Sequence, residues 1–145
     1  MGIADFLSED MVLLDLIADN KRNLLQKVAE IMAPKSGIDK NSIFEAILER
    51  ESLGSTGYGN GIAFPHARIE GLDHIVTALV RLDKPIDFDS LDGKPVDLLA
   101  FMISPENSGE DHLKTLAAFS HTLKNEQSRQ RIRGAKTAHE IYLAL

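Results

Sequence analysis

Ile75-Val-Thr-Ala-Leu-Val-Arg-Leu82 and, after an interval rich in turn formers, Val96-Asp-Leu-Leu-Ala-Phe-Met-Ile103 are the two strongest strand segments of the chain. Both are nearly continuous in apolar residues, where a strand with one wet face would alternate apolar and polar. They therefore predict a sheet covered on both faces. Working outward, Ile86-Asp-Phe88 reads as a short edge strand and Val12-Leu-Leu-Asp-Leu-Ile17 as a further strand. Asn20 then caps a helix whose apolar positions Leu24, Leu25, Val28, Ile31 and Met32 recur at helical spacing, with Pro34 and Gly37 ending it. Asp39 opens a second helix with Ile43, Phe44, Ile47 and Leu48 as its stripe and Gly54 as its stop. A third runs from about Gly109 to Lys124 on Leu113, Leu116, Ala117, Ser120 and Leu123, and the tail from Gln127 to Leu145 supplies one or two short helices. The expected fold is α/β (α+β), a mixed sheet sandwiched between helices, in a single domain spanning residues 1–145 without linker or repeat.

Composition narrows the function. At 145 residues, 43% hydrophobic and 26% charged, the chain can bury an adequate core without staples. It has no run of eighteen apolar residues, its first residues lack a secretory pattern, and Asp5, Glu9 and Asp10 disfavour a transit peptide. The absence of cysteine fits a cytoplasmic location, which is the expectation. A formal charge of −6 disfavours sequence-independent nucleic-acid binding and suits a basic protein partner.

The chemistry concentrates in Gly54-Ser-Thr-Gly57-Tyr-Gly59-Asn-Gly61-Ile-Ala-Phe-Pro65-His66-Ala-Arg68. Glycines permit positive φ and close approach of the backbone to a ligand, while Pro65 fixes its own φ and holds Phe64 extended. His66 is expected at the end of a short strand or turn, facing out. Arg50 falls on the buried stripe of the second helix by spacing; it reads either as a functional cation or as a snorkelling side chain paired with Glu45, Glu49 or Glu51. His112 lies in the first turn of the third helix, where the dipole favours anions; it reads either as a neutral donor to a phosphate or as a partly exposed helix-start histidine. His121 is half a turn away from His112, and His121, His74 and His139 are expected on solvated surfaces.

Other chemistries fit the spacing poorly. None of the five histidines clusters as metal ligands do. The glycine segment has no lysine for a P-loop and no following helix for a dinucleotide. A Ser55, His66, Asp73 hydrolase arrangement lacks a nucleophile elbow. Histidine as covalent nucleophile remains.

The runs RESLGSTGYGNGIAFPHARIEGL (50–72), DFDSLDGKPVDLLAFMISP (87–105) and EDHLKTLA (110–117) resemble the IIA domain of the fructose–mannitol and nitrogen-regulatory type in the bacterial phosphoenolpyruvate-dependent phosphotransferase system. The resemblance covers nearly the whole chain and lies closest to the nitrogen-regulatory branch. It implies a phosphotransferase-type phosphocarrier in which His66 is phosphorylated on Nε2, with His112 and Arg50 as assisting residues. Ser55, Thr56 and Gly61 of the loop would contact the phosphoryl group. The implied donor is an HPr-like carrier protein, and the implied recipients are regulatory target proteins or, in a free-standing transport IIA, a IIB domain. No metal, cofactor or nucleic acid is implied. Phe64, where an aliphatic residue is more usual, and Tyr58 depart from the family pattern; Phe64 is expected to pack alike, and Tyr58 to alter partner contacts.

Overall fold

The computed structural model describes residues 3–145. Two short 3-10 turns, Ile3–Asp5 and Glu9–Met11, precede β1 (Val12–Leu16), α1 (Lys21–Ser36) and α2 (Lys40–Ser52). Next come β2 (Gly57–Gly59), β3 (Ile62–Ala63), β4 (His66–Ile69), β5 (Val76–Ile86) and β6 (Val96–Pro105), and the chain closes with α3 (Glu110–Lys124), α4 (Glu126–Gly134) and α5 (Ala138–Ala144). The order in the sheet is β1-β5-β6-β3-β2, with β4 also on β6. β5 and β6 pair antiparallel at its centre, whereas β1 joins β5, and β3 and β4 join β6, in parallel.

The two apolar runs quoted above are this central pair. Consecutive residues Val76 to Val80, which alternate between the sheet's faces, are all buried, as a sheet covered on both sides requires. α1 packs on β5 and α2 on α1 and β4, while α3 lies against β6 and α5 against β1. The helix starts follow their caps. The Asn20 side chain accepts from Asn23 N at 2.8 Å, and Asp39 accepts from Asn41 N and Ser42 N at 3.0 and 3.3 Å.

Four readings are corrected. Pro34 does not end α1 but sits within its last turn, at the cost of one backbone hydrogen bond; the stop is Gly37, at φ 73°, whose N–H bonds Ala33 O. Ile86–Phe88 is not an edge strand: Ile86 is the last residue of central β5, paired with Val96, and Phe88 is fully buried. α3 is turned by about one residue, burying His112, Thr115, Phe119 and Leu123 and leaving Leu113 62% exposed. That rotation places Phe119, the largest apolar side chain of the helix, in the core. The glycine segment is also more ordered than a loop. Gly57–Gly59 and Ile62–Ala63 form a hairpin whose turn residues Asn60 and Gly61 both have positive φ, 57° and 78°.

Candidate functional site

β3 and β4 lie end to end along the same edge of β6, pairing with Leu98–Leu99 and with Met102–Pro105. The break between them is Phe64-Pro65. Pro65 has no N–H to donate, but its carbonyl accepts from Met102 N at 3.0 Å and keeps the chain on the edge. Phe64 is buried, as expected, and its N–H is held by Thr56 O at 3.2 Å. His66, half-buried, is the first residue after the break.

The Nδ1 of His66 lies 2.7 Å from the Phe64 carbonyl oxygen. A carbonyl can only accept, so Nδ1 carries the hydrogen and the neutral ring has its lone pair on Nε2. Burial pushes the His66 pKa down, and the nearby Arg50 guanidinium acts in the same direction against the Phe64 hydrogen bond. The ring is therefore neutral at neutral pH.

His112 is 5% exposed, and its ring centroid is 5.7 Å from that of His66. It is not the partly exposed histidine considered above. Burial, followed by the charges of Arg68 and His66, lowers its pKa to about 4. Its Nδ1 is 2.5 Å from the Oγ of Ser104, itself fully buried on β6.

Arg50 is half-buried rather than buried, and among the described residues its hydrogen-bond partner is Gly54 O at 2.8 Å, not Glu45, Glu49 or Glu51. The buried charge of α2 is the next residue. Glu51, 6% exposed, accepts from Thr56 N at 3.1 Å and from Thr56 Oγ1, and pairs with Lys21 Nζ at 2.9 Å. Spacing from Ile47 allows either i+3 or i+4 on the core face, and the structure takes i+4.

Two clefts flank His66. One, of about 400 Å³, is lined by Arg50, His66, Arg68 and His112, and is roomy enough for a phosphoryl group. The other is lined by Arg50 and His66 together with Ser55, Thr56, Tyr58 and Lys124. Ser55 Oγ donates to Phe88 O at 2.5 Å and accepts from Gly57 N at 3.0 Å, so this hydroxyl is committed to holding the loop. Gly61 lies apart from both clefts: a Cβ there would sit 2.6 Å from Arg133 Nη2 and 2.9 Å from Asp97 Oδ1. The structure thus gathers His66, Arg50 and His112 around one cleft and His66, Arg50, Ser55 and Thr56 around the other, and puts Gly61 under α4 instead.

The hydrolase arrangement does not form. Asp73 bonds His74 Nδ1 at 2.5 Å, and the Nδ1 of His66 is taken by Phe64. His74, His121 and His139 are exposed. Sequence reading names Glu51 only as a candidate partner of Arg50 and Arg68 only as part of the glycine segment, and it assigns no role to Ser104 or Lys124. The last lies 4.1 Å from the centroid of the Tyr58 ring. Ser104 left one signal, a hydroxyl next to an otherwise apolar strand.

Residues 5–145 match the family model described as "Phosphoenolpyruvate-dependent sugar phosphotransferase system, EIIA 2". The chain belongs to the EIIA 2 family. A nitrogen regulatory protein of Bradyrhizobium diazoefficiens is 38% identical over 145 residues, covering 100% of this EIIA 2 chain and 95% of the relative. One from Pseudomonas aeruginosa is 39% identical over 97% of this chain and 92% of its own length. The crystal structure of nitrogen regulatory protein IIA-Ntr from Neisseria meningitidis superposes with a TM-score of 0.92 at 30% identity, covering 97% of each chain. The EIIA 2 match takes in residues 5–145, and no helix among the described residues is long and apolar enough to cross a membrane.

Proposed function

We propose that this EIIA 2 chain is a cytoplasmic phosphohistidine carrier of the nitrogen-regulatory type. The observation that carries the reading is the hydrogen bond from His66 Nδ1 to Phe64 O, which leaves Nε2 as a free nucleophile beside Arg50 and His112. The Nε2 lone pair attacks the phosphorus of a phosphohistidine on an HPr-like carrier. The new N–P bond forms as the old one breaks, and the electron pair returns to the donor's imidazole. Onward transfer is the same kind of displacement: a nucleophile of the next acceptor bonds the phosphorus as the Nε2–P bond breaks, and that electron pair returns to the His66 ring. Transfer of this kind rests on positioning and on neutralising the equatorial oxygens, the work assigned to Arg50 and His112, with Ser55 and Thr56 holding the loop beside them. Gly61 has no direct part.

Leu53, Tyr58, Leu91 and Leu113 are exposed large apolar residues, and the first three line the clefts at His66. They offer a docking rim for the carrier protein and, in the signalling role, for a regulatory target. Two near-full-length relatives named nitrogen regulatory proteins support that role. A second reading is a free-standing transport IIA that donates to a IIB domain. It is favoured by a fructose-specific EIIA component of Haloferax volcanii, 37% identical over 71% of this chain.

Incubation with phosphoenolpyruvate, enzyme I and an HPr-type carrier tests the chemistry. One acid-labile, base-stable phosphoryl group should appear on the wild type and none on His66→Ala; stoichiometric labelling of His66→Ala overturns the assignment. Capture of a cytoplasmic regulator by one phosphorylation state supports the signalling role. Rapid passage of label to a IIB cysteine with no regulator captured supports transport.

A further inference from the structure

Resting on the phosphocarrier reading, we infer that Ser104 is a positioning residue that fixes the tautomer of His112, making its Nε2–H a hydrogen-bond donor opposite the Nε2 lone pair of His66. Ser104 is fully buried, and its Oγ lies 2.5 Å from His112 Nδ1. A buried hydroxyl proton requires an acceptor. Among the described residues, the Ser104 side chain has His112 Nδ1 as its hydrogen-bond partner, so that nitrogen must accept. Were Nδ1 protonated instead, it would donate to Oγ, and the buried hydroxyl hydrogen would be left without an acceptor among the described residues. The proton of the neutral His112 ring is thereby placed on Nε2.

The two site histidines are then held in opposite tautomers by neighbours of opposite character. A carbonyl that can only accept puts the His66 proton on Nδ1. A hydroxyl that must donate keeps the His112 Nδ1 bare. The rings stand with centroids 5.7 Å apart and planes inclined at 60°, and both line the cleft shared with Arg50 and Arg68. One ring can attack phosphorus while the other donates to a phosphoryl oxygen, without a proton having to move first. The elements that fix this are adjacent in space: Ser104 pairs with Arg68, two residues along β4 from His66, and His112 stands in the first turn of α3, which follows β6.

The nitrogen chemical shifts of histidine, read from long-range ¹H–¹⁵N correlations on the full-length unphosphorylated protein near neutral pH, test the inference. Wild type is expected to show His112 Nδ1 in the unprotonated, pyridine-like range and Nε2 in the protonated, pyrrole-like range, with His66 showing the reverse. Ser104→Ala should move both His112 shifts towards a tautomer mixture while leaving His66 unchanged. Phosphoryl acceptance by this variant should slow by about 3- to 10-fold, the size of one lost hydrogen bond. Ser104→Thr, which keeps the hydroxyl, should restore both readouts. A protonated His112 Nδ1 in the wild type, or a Ser104→Ala protein with unaltered His112 shifts, overturns the inference. Should wild-type protein accept no phosphoryl group, the phosphocarrier reading fails, and the shifts still judge the tautomer on their own.

Discussion

Neutralising Glu51 should destabilise the protein by an amount the structure sets. Glu51 is 6% exposed, and its carboxylate receives two hydrogen bonds from Thr56 and an ion pair from Lys21 at 2.9 Å. In Glu51→Gln the remaining carbonyl oxygen can still serve Thr56 N and Lys21, which share Oε2, and the amide NH₂ can donate to the Thr56 hydroxyl, so what is lost is chiefly the negative charge opposite Lys21. Removing one partner of a buried ion pair costs about 3–5 kcal/mol. The Lys21 side chain is 19% exposed and keeps Asp89 at 3.6 Å, which offsets part of that loss. The expected destabilisation is about 2–3 kcal/mol, or roughly 30- to 160-fold in the folding equilibrium. Urea unfolding monitored by circular dichroism measures it, with Glu49→Gln on the exposed face of the same helix as a control expected to change by less than about 0.5 kcal/mol. Because Thr56 also anchors Phe64 N, the variant should in addition slow phosphoryl acceptance. A Glu51→Gln protein as stable as the control would refute the role given to this buried carboxylate.

Arg50→Ala and His112→Ala, each losing a charge-assisted or polar contact to a phosphoryl oxygen, should slow transfer by about 30- to 1000-fold in rapid-quench assays, while exposed His121→Ala changes little. Since burial depresses the His66 pKa below its ordinary 6.5, single-turnover rates should hold their plateau through that pH and fall only in more acid solution; a midpoint at or above 6.5 would contradict this. His112 is neutral when folded down to about pH 4 but is protonated below about 6.5 when unfolded. In that window the unfolded chain binds more protons, so stability is present above about 6.5 and lost on acidification towards 4, a slope in the urea midpoint that His112→Gln should flatten.

Much of this was legible before any coordinates. Two near-continuous apolar runs specify a doubly covered central pair, and Asn20 and Asp39 mark helix starts because capping is a local interaction. His66 stood out because Pro-His after four glycines suits a presented side chain rather than a core one. What failed was decided by tertiary contacts. The choice between Arg50 and Glu51 for the buried position turns on whether α2 follows i+3 or i+4 at its last turn, and the partner that settles it, Lys21, comes from another helix. The rotation of α3 follows from the room found for Phe119 beneath it, which periodicity alone does not reveal. The Asn60-Gly61 turn was readable as a hairpin signal, and the abundance of neighbouring glycines masked it.

The parallel seating of β4 on β6 sets a timetable for synthesis. His66 takes its place opposite Met102, on a strand that leaves the ribosome well after it, and His112 follows later still. A nascent chain that stops short of Val96 has made His66 but offers β4 no edge on which to dock. Neither cleft beside His66 has its full wall until α3 has been translated and folded back. The site is thus a late property of the polypeptide: a chain truncated before α3 carries His66 without the surroundings on which its proposed role as phosphoryl acceptor depends.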